Sequence, residues 1–257
     1  MAKIIIGNWK MNGSRELINE FRLVLEDRRK SVQGLRGEIS SEANIGVICV
    51  PYPFIFHATQ TLSGFIFIGA QDCSQFAAPG AYTGDVSAQM LREAGATYVI
   101  LGHSERRRLH SESDELIAQK FAYAVEAQLI PIVCVGESRQ DYERKSTHEV
   151  LAQQISFLKS VNEKFYVAYE PIWAIGTGMT PTLDEINDAH SFIFEMCGRV
   201  PIYGGSVTTQ NYKQILEISS VQGLLIGKES LDPGKFTEIF FYNDRAPNFH
   251  NGTKRQN

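Results

Sequence analysis

Val167-Ala-Tyr-Glu170-Pro-Ile-Trp-Ala-Ile-Gly-Thr-Gly178 holds the pattern from which the rest of the chain can be read. An apolar lead-in ends in a carboxylate, and a proline follows at once. Proline disfavours helical angles at the residue before it, so a strand here ends with its acid held extended at the rim. Beyond lies an apolar tip, Ile172, Trp173, Ala174 and Ile175, set between Pro171 and the permissive Gly176, Thr177, Gly178. Loops run over the surface and are normally polar. An apolar tip between a stiff joint and a flexible one reads as a flap that closes over a site and excludes water. A packed loop on a core strand gives the same pattern, so the other strand ends must separate the two readings.

Runs of this kind recur at residues 4–6, 45–50, 65–68, 98–101, 132–135, 165–169, 201–203 and 224–226. They are rich in β-branched residues and do not alternate, as strands covered on both faces should be. Helical spacing fills the intervals. Leu17, Ile18, Phe21, Val24 and Leu25 stripe one segment; Ile117, Phe121, Ala124 and Val125 stripe another; Leu151, Ile155 and Leu158 a third. Thr182-Leu-Asp-Glu185 after Pro181 has the form of a capping box that opens a helix carrying Ile186, Ala189 and Ile193. Gly95 closes a helix just before the strand at Tyr98.

Strand then helix, eight times in about 250 residues, predicts an α/β fold: a single closed (β/α)8 barrel. The rival is an open doubly wound sheet, which would carry Gly-x-Gly-x-x-Gly after its first strand. Here that strand runs into Gly7-Asn8-Trp9-Lys10. No low-complexity linker divides the chain. We expect one domain over residues 1–244 and a polar tail over 245–257.

Composition narrows the function classes. With 25 Lys and Arg against 29 Asp and Glu, the net charge is -4, and no basic footprint for nucleic acid or membrane exists. The most basic run, Arg106-Arg107-Arg108, is flanked by Glu105 and Glu112 and reads as local salt bridging. The four cysteines are scattered, without a Cys-x-x-Cys pair, which fits a reducing compartment. No signal-like or membrane-spanning stretch opens the sequence. A cytoplasmic location is expected.

In a parallel barrel the carboxyl ends of the strands converge on one face. The runs deliver Asn8 and Lys10, then His103, Ser104 and Glu105, then Glu137, then Glu170, then Gly204-Gly205-Ser206, then Gly227-Lys228. Singly, each has a dull reading. Lys10 is a solvated charge, His103 a rim histidine, Glu105 an ion-pair partner for Lys10 or the nearby arginines, and Glu137 the partner of an arginine. Gly-Gly-Ser alone is a turn. Together they gather a carboxylate, an imidazole and an ammonium beside a nest of backbone N–H groups after strands seven and eight, where barrels bind phosphate. No metal-ligand spacing, nucleotide loop or Ser/His/Asp arrangement stands out, so neither a metal nor a cofactor is expected. The set suits proton abstraction beside a carbonyl on a small phosphorylated molecule. A barrel that only binds sugar phosphates would not need a poised base. A lyase or aldolase barrel would need a Schiff-base lysine inside a strand or a metal site.

Asn8-Trp-Lys-Met-Asn12, Ile100-Leu-Gly-His-Ser-Glu-Arg106, Tyr169-Glu-Pro-Ile-Trp-Ala-Ile-Gly-Thr-Gly178 and Tyr203-Gly-Gly-Ser-Val207 resemble the motifs of the triosephosphate isomerase family, in its order and at its spacing. The resemblance covers residues 3–240. It implies interconversion of dihydroxyacetone phosphate and glyceraldehyde 3-phosphate through an enediol(ate), without a cofactor. Glu170 would be the base, His103 a neutral electrophile and proton shuttle, and Lys10 a fixed positive charge. The same enzyme is the standard illustration of that base and imidazole pairing. Asn8 would bond substrate oxygens; Gly176, Ser206, Gly227 and Lys228 would hold phosphate; Ser104 and Glu105 would support the site. Residues 171–178 would be the lid. The resemblance also implies a homodimer, through the loop over residues 71–85 with Thr83 and Gly84 at its tip. Three positions depart from the family's usual pattern: Lys228 replaces a second glycine, while Asp72 and Asp85 stand where Asn and Glu are more common.

Overall fold

The computed structural model describes residues 2–36, 44–77, 79–175 and 179–242; the expected tail over 245–257 lies outside them. Eight strands, β1 (Ile4–Asn8), β2 (Ile45–Cys49), β3 (Phe67–Ala70), β4 (Tyr98–Leu101), β5 (Ile130–Val135), β6 (Tyr166–Tyr169), β7 (Ile202–Tyr203) and β8 (Gly223–Ile226), pair in sequence order and close on themselves. Every pairing is parallel, and the seam brings Ile4 opposite Gly223 and Gly7 opposite Ile226. The third strand starts two residues later than its apolar run. The carbonyl of Leu62 accepts the N–H groups of both Phe65 and Ile66, so these residues finish a helix end before the ladder begins.

The helices lie outside. In chain order they are α1 (Arg15–Arg36), α2 (Ile55–Leu62), α3 (Ala88–Glu93), α4 (Ser104–His110), α5 (Asp114–Glu126), α6 (Arg139–Glu143), α7 (Thr147–Gln154), α8 (Leu183–Cys197), α9 (Tyr212–Glu217) and α10 (Pro233–Phe240). The Thr182 capping box forms as read, each partner bonding the other's backbone N–H. Such a cap stabilises a helix by about 1 kcal/mol. Gly95 adopts φ +98, an angle only glycine takes easily, as the chain turns from α3 into β4. The Leu151, Ile155, Leu158 stripe is fully buried, but its helix stops at Gln154 and the last turn is 3-10.

Two apolar layers result. Ile4, Ile6, Val47, Tyr98, Ile132 and Leu225 belong to a cluster made of strand residues alone, which fills the barrel. Their strand neighbours, such as Ile5, Ile48, Val99, Val133 and Leu224, pack with the helices instead. Each strand therefore buries both faces, which explains the absent polar alternation in the sequence. The period of two also places the site. Continuing the inward-facing parity past the strand ends reaches Asn8, Glu170, Gly204 and Gly227. A ring contact chain, Trp9 on Phe21 and Phe21 on Phe236, with centroids 5.3 and 5.8 Å apart, fixes the first strand's exit against α1 and α10. Burying each such ring contributes about 2–3 kcal/mol.

Candidate active site

A cavity of about 280 Å³ opens at the carboxyl ends of the strands. Asn8, Lys10, His103 and Glu170 line it, as do Ser206, Gly227 and Lys228 from the ends of the seventh and eighth strands. Each element brings its residue there for a local reason. Glu170 directly follows β6, ahead of Pro171, its N–H donated to the Val135 carbonyl at 2.7 Å. The carboxylate is 2% exposed. One oxygen, Oε2, accepts the Ser104 N–H at 3.3 Å, and Oε1 lies 3.3 Å from His103 Nε2. Gly204 leaves the carboxylate room: a Cβ there would come within 2.9 Å of Glu170 Cγ.

His103 is the N-cap of α4, and its Nδ1 accepts the N–H of Glu105 at 3.2 Å. A ring nitrogen that accepts a hydrogen bond carries no proton, so this bond assigns a neutral ring with its proton on Nε2, the atom that faces Glu170.

Lys10 holds φ +52, the left-handed region, which costs a residue with a side chain roughly 1 kcal/mol or more. Two bonds hold it there. The Lys10 N–H donates to Asn8 Oδ1 at 2.9 Å, and Lys10 Nζ meets Glu105 Oε1 at 2.6 Å. Such strain at a site persists only where the surroundings over-determine it. Partial burial works to raise the Glu105 carboxyl. The Lys10 hydrogen bond, with the charges of Lys10 and Arg108, outweighs it and holds Glu105 below the ordinary carboxylate range. Asn8 Oδ1 is occupied by Lys10, so a bond from Asn8 to a substrate oxygen falls to Nδ2.

The rim after the seventh and eighth strands is built from turns. Ser206 Oγ donates to the Ala174 carbonyl at 2.8 Å, joining the Gly204–Ser206 turn to the segment after Pro171. Gly227 precedes a 3-10 turn (Lys228–Leu231) and lies over Lys10, whose Cε would be 3.8 Å from a Cβ at that position. Lys228 is exposed and keeps a negative φ, so replacing glycine there strains nothing. Ile172, Trp173 and Ala174 form a 3-10 turn, with Trp173 and Ala174 buried and Ile175 on the cavity wall. Gly176, Thr177 and Gly178 lie outside the described residues.

The structure corrects the reading of Glu137. Among the described residues no arginine pairs with it. Arg107, which reaches the end of the same strand, is taken by Asp114 at 2.6 Å and by the carbonyls of Gly102 and Cys134. Glu137 Oε1 instead accepts Trp173 Nε1 at 2.7 Å and the Tyr169 hydroxyl at 3.2 Å, so it anchors the base of the expected lid. Burial pushes its carboxyl up, against the pull of those hydrogen bonds. The arginine run does salt-bridge locally: Arg106 reaches Asp72 at 2.8 Å and Glu112 at 2.7 Å. Lys120, on α5, joins the same two acids within a buried cluster. That cluster was missed in the sequence, although a lysine inside the Ile117, Phe121, Ala124 stripe was a visible signal.

The described residues hold no group of side chains fit to bind a metal ion. A buried carboxylate, an imidazole, an ammonium and a rim of glycine turns thus share one small cavity. The triosephosphate isomerase family model matches residues 3–243. The chain belongs to the triosephosphate isomerase family. Among relatives, it is 40% identical to triosephosphate isomerase of Brucella melitensis over 249 residues, covering 92% of this chain and 94% of that one. It is also 40% identical to the enzyme of Halorhodospira halophila over 253 residues, 93% of this chain and 96% of the other. The crystal structure of triosephosphate isomerase from Bartonella henselae superposes with a TM-score of 0.81 at 32% identity, covering 95% of this chain and all of that one. The activity follows from the family: interconversion of dihydroxyacetone phosphate and D-glyceraldehyde 3-phosphate.

Proposed function

We propose that Glu170, His103 and Lys10 carry this isomerisation in the roles their geometry supports. The Glu170 carboxylate takes a proton from the carbon beside the carbonyl, and the electron pair moves onto the carbonyl oxygen to give an enediol(ate). The protonated Glu170 returns that proton to the neighbouring carbon. His103 donates its Nε2 proton to the developing oxyanion and recovers one from the other oxygen, so the ring starts and ends neutral. Lys10 sets fixed positive charge beside the enediolate and the phosphate. Asn8 Nδ2 orients the oxygens. Backbone N–H groups at Ser206 and Gly227 grip the phosphate, and the Lys228 amide remains available despite its side chain. Ser104 and Glu105 hold the base and the ring in place.

The observation that carries this reading is the 3.3 Å approach of His103 Nε2 to Glu170 Oε1 inside the cavity. A carboxylate and an imidazole donor that close share one reacting centre. At about 280 Å³ the cavity sits at the lower limit for ligand sites and suits a three-carbon phosphate.

Residues 171–178 act as the lid, with Gly176 adding an N–H to the phosphate. An enediolate phosphate left in water expels phosphate, and closure opposes that loss. The tie between Ser206 Oγ and the Ala174 carbonyl supports a link between phosphate grip and lid position. A homodimer completes the picture, through the loop around Thr83 and Gly84, whose tip is exposed. Met11, beside Lys10, is 95% exposed, an apolar side chain placed where a partner's loop would cover it. Four free thiols support a cytoplasmic location, and no described helix is long and apolar enough to cross a membrane.

The deciding experiment is a coupled assay on glyceraldehyde 3-phosphate with wild type and Glu170→Gln. Wild type turns over fast, and the variant loses several orders of magnitude while still binding 2-phosphoglycolate. Equal rates for the two proteins would remove Glu170 from its role.

A further inference from the structure

Gln154, the last residue of α7, brackets the backbone of Gly136 from outside the barrel. Its Oε1 accepts the Gly136 N–H at 2.8 Å, and its Nε2 donates to the Gly136 carbonyl at 3.1 Å. One side-chain amide thus copies what a ladder partner would supply at the end of β5. At Gly136 that strand end passes hard against the one that carries Glu170. A Cβ on it would fall 1.8 Å from the Glu170 carbonyl oxygen, with no flexible side chain to give way. On either side of Gly136, the chain carries the segment that holds the base. The Val135 carbonyl accepts the Glu170 N–H at 2.7 Å, and the Glu137 carbonyl accepts the Ile172 N–H at 3.1 Å. The Glu137 side chain accepts from Tyr169 and Trp173. Residues 135–137 are therefore a cradle for residues 169–173, and Gln154 pins its centre.

We propose that Gln154 is a positioning residue for Glu170: by fixing the Gly136 peptide it sets the height and tilt of the base over the substrate. The proposal rests on Glu170 being the base. Gln154 touches no cavity atom and belongs to no sequence motif quoted above. Its effect passes through a backbone contact rather than a side-chain bond to the carboxylate. Misplacement of a reacting group by about 1 Å costs up to about a hundredfold in rate. Loss of the bracket relaxes the cradle by a fraction of that distance, so a kcat loss of about tenfold is expected for Gln154→Ala, with KM within about twofold.

Gln154→Glu gives the readout that a purely structural role would not move. A neutral carboxyl keeps both bonds, one oxygen accepting from the Gly136 N–H and the O–H donating to its carbonyl. The ionised form has no proton for that carbonyl. Its kcat relative to wild type is therefore expected to rise about fivefold as pH falls from 8 to about 4.5, where an ordinary glutamate is about half protonated, while the Gln154→Ala ratio stays flat. Asn44→Ala is the control. Asn44 makes a like pair of bonds at the other end of the barrel, from the Lys3 N–H at 3.0 Å and to the Phe240 carbonyl at 2.7 Å. It should lower Tm and leave kcat unchanged. The test measures kcat, KM and Tm for Gln154→Ala, Gln154→Glu and Asn44→Ala, and repeats Gln154→Ala in the Glu170→Gln background. Support is a kcat loss in Gln154→Ala that disappears in that background, together with the pH-dependent recovery of Gln154→Glu. Wild-type kcat in Gln154→Ala, a flat Gln154→Glu ratio, or an undiminished loss in the Glu170→Gln background would overturn it. A Glu170→Gln protein active by itself would instead overturn the assignment of the base.

Discussion

The two ends of the barrel are built by the same means and hold opposite kinds of group. At the amino end, Asn44 brackets backbone, and Gly223 lets Ile4 pass so closely that a Cβ would lie 1.9 Å from its carbonyl oxygen. At the carboxyl end, Gln154 brackets backbone, and Gly136 lets Glu170 pass at a corresponding 1.8 Å. Yet the carboxyl end alone collects a buried carboxylate, a capped imidazole and a lysine in left-handed backbone. Close packing of strand ends is thus not itself a catalytic device. What makes one end reactive is that the inward parity there reaches a carboxylate and glycines, where the layers below hold Ile, Val and Tyr.

Removing chemistry from the reactive end should give the largest effect. His103→Gln preserves an amide near the ring's position but loses the shuttle, and a kcat loss of about 10²–10⁴ is expected. Tm should hardly change, since the ring makes one bond to its own helix. Steady-state kinetics beside a thermal melt separates the two quantities. A variant with unaltered kcat would strip the carboxyl end of its distinction.

Adding a methyl group at matched positions tests the comparison directly. Gly136→Ala and Gly223→Ala each drive a Cβ into a neighbouring strand's backbone, and each should cost about 3 kcal/mol or more. Denaturant unfolding gives the stability of both. Per folded molecule, Gly223→Ala should retain kcat and Gly136→Ala should lose it, because only the second displaces Glu170. Equal kcat in the two variants would mean that the ends are mechanically coupled.

A third test concerns a histidine behind the site. His190, on α8, is fully buried, with Nδ1 3.0 Å from the Ser220 carbonyl. Burial pushes it down to about 4, against the weaker opposing effect of that hydrogen bond. The unfolded chain then binds a proton that the folded one refuses between about pH 6.5 and 4. Stability is full above that window and falls through it as pH drops, by on the order of 3 kcal/mol at its lower end. His190→Gln should flatten this part of the stability profile, read by urea midpoints at pH 7, 5.5 and 4.5. An unchanged slope would assign the acid sensitivity to other groups, such as the depressed Glu105 at the mouth, whose stabilising pair is lost as its carboxyl protonates.

Much of this architecture was legible in the chain. All eight strands were marked by runs too apolar to alternate, and the strand-end residues that meet in the cavity were readable because the barrel gathers carboxyl ends. Two things were not. Glu137 looked like an arginine's partner because sequence shows which charges are near along the chain, not which donors face it. Its real partners, Tyr169 and Trp173, arrive from the next strand and the turn after it. Gln154 carried no signal at all: an amide at a helix end is ordinary until the fold brings a glycine peptide against it. Side-chain chemistry at strand ends is encoded locally, whereas the bonds that hold those ends depend on neighbours brought in by closure.

The smallest effect should come from Lys228. It lies on the rim of the reactive end yet resembles an ordinary surface lysine, exposed and free of backbone strain. Lys228→Gly relieves nothing, because no left-handed angle is required, and it loosens the unfolded chain by less than about 1 kcal/mol. Its charge acts on the phosphate only through solvent. The substitution should therefore lower kcat/KM by about twofold at low ionic strength, and the difference should fade near 0.2 M salt as the Debye length shrinks. Lys10 behaves otherwise, being pinned by Glu105 at 2.6 Å inside the mouth, and its contribution should survive the same salt. A tenfold or greater rise in KM for Lys228→Gly at high salt would place the ammonium on the phosphate itself. The rim would then hold two cations at the phosphate, and the glycine replaced here would mark a gain in grip.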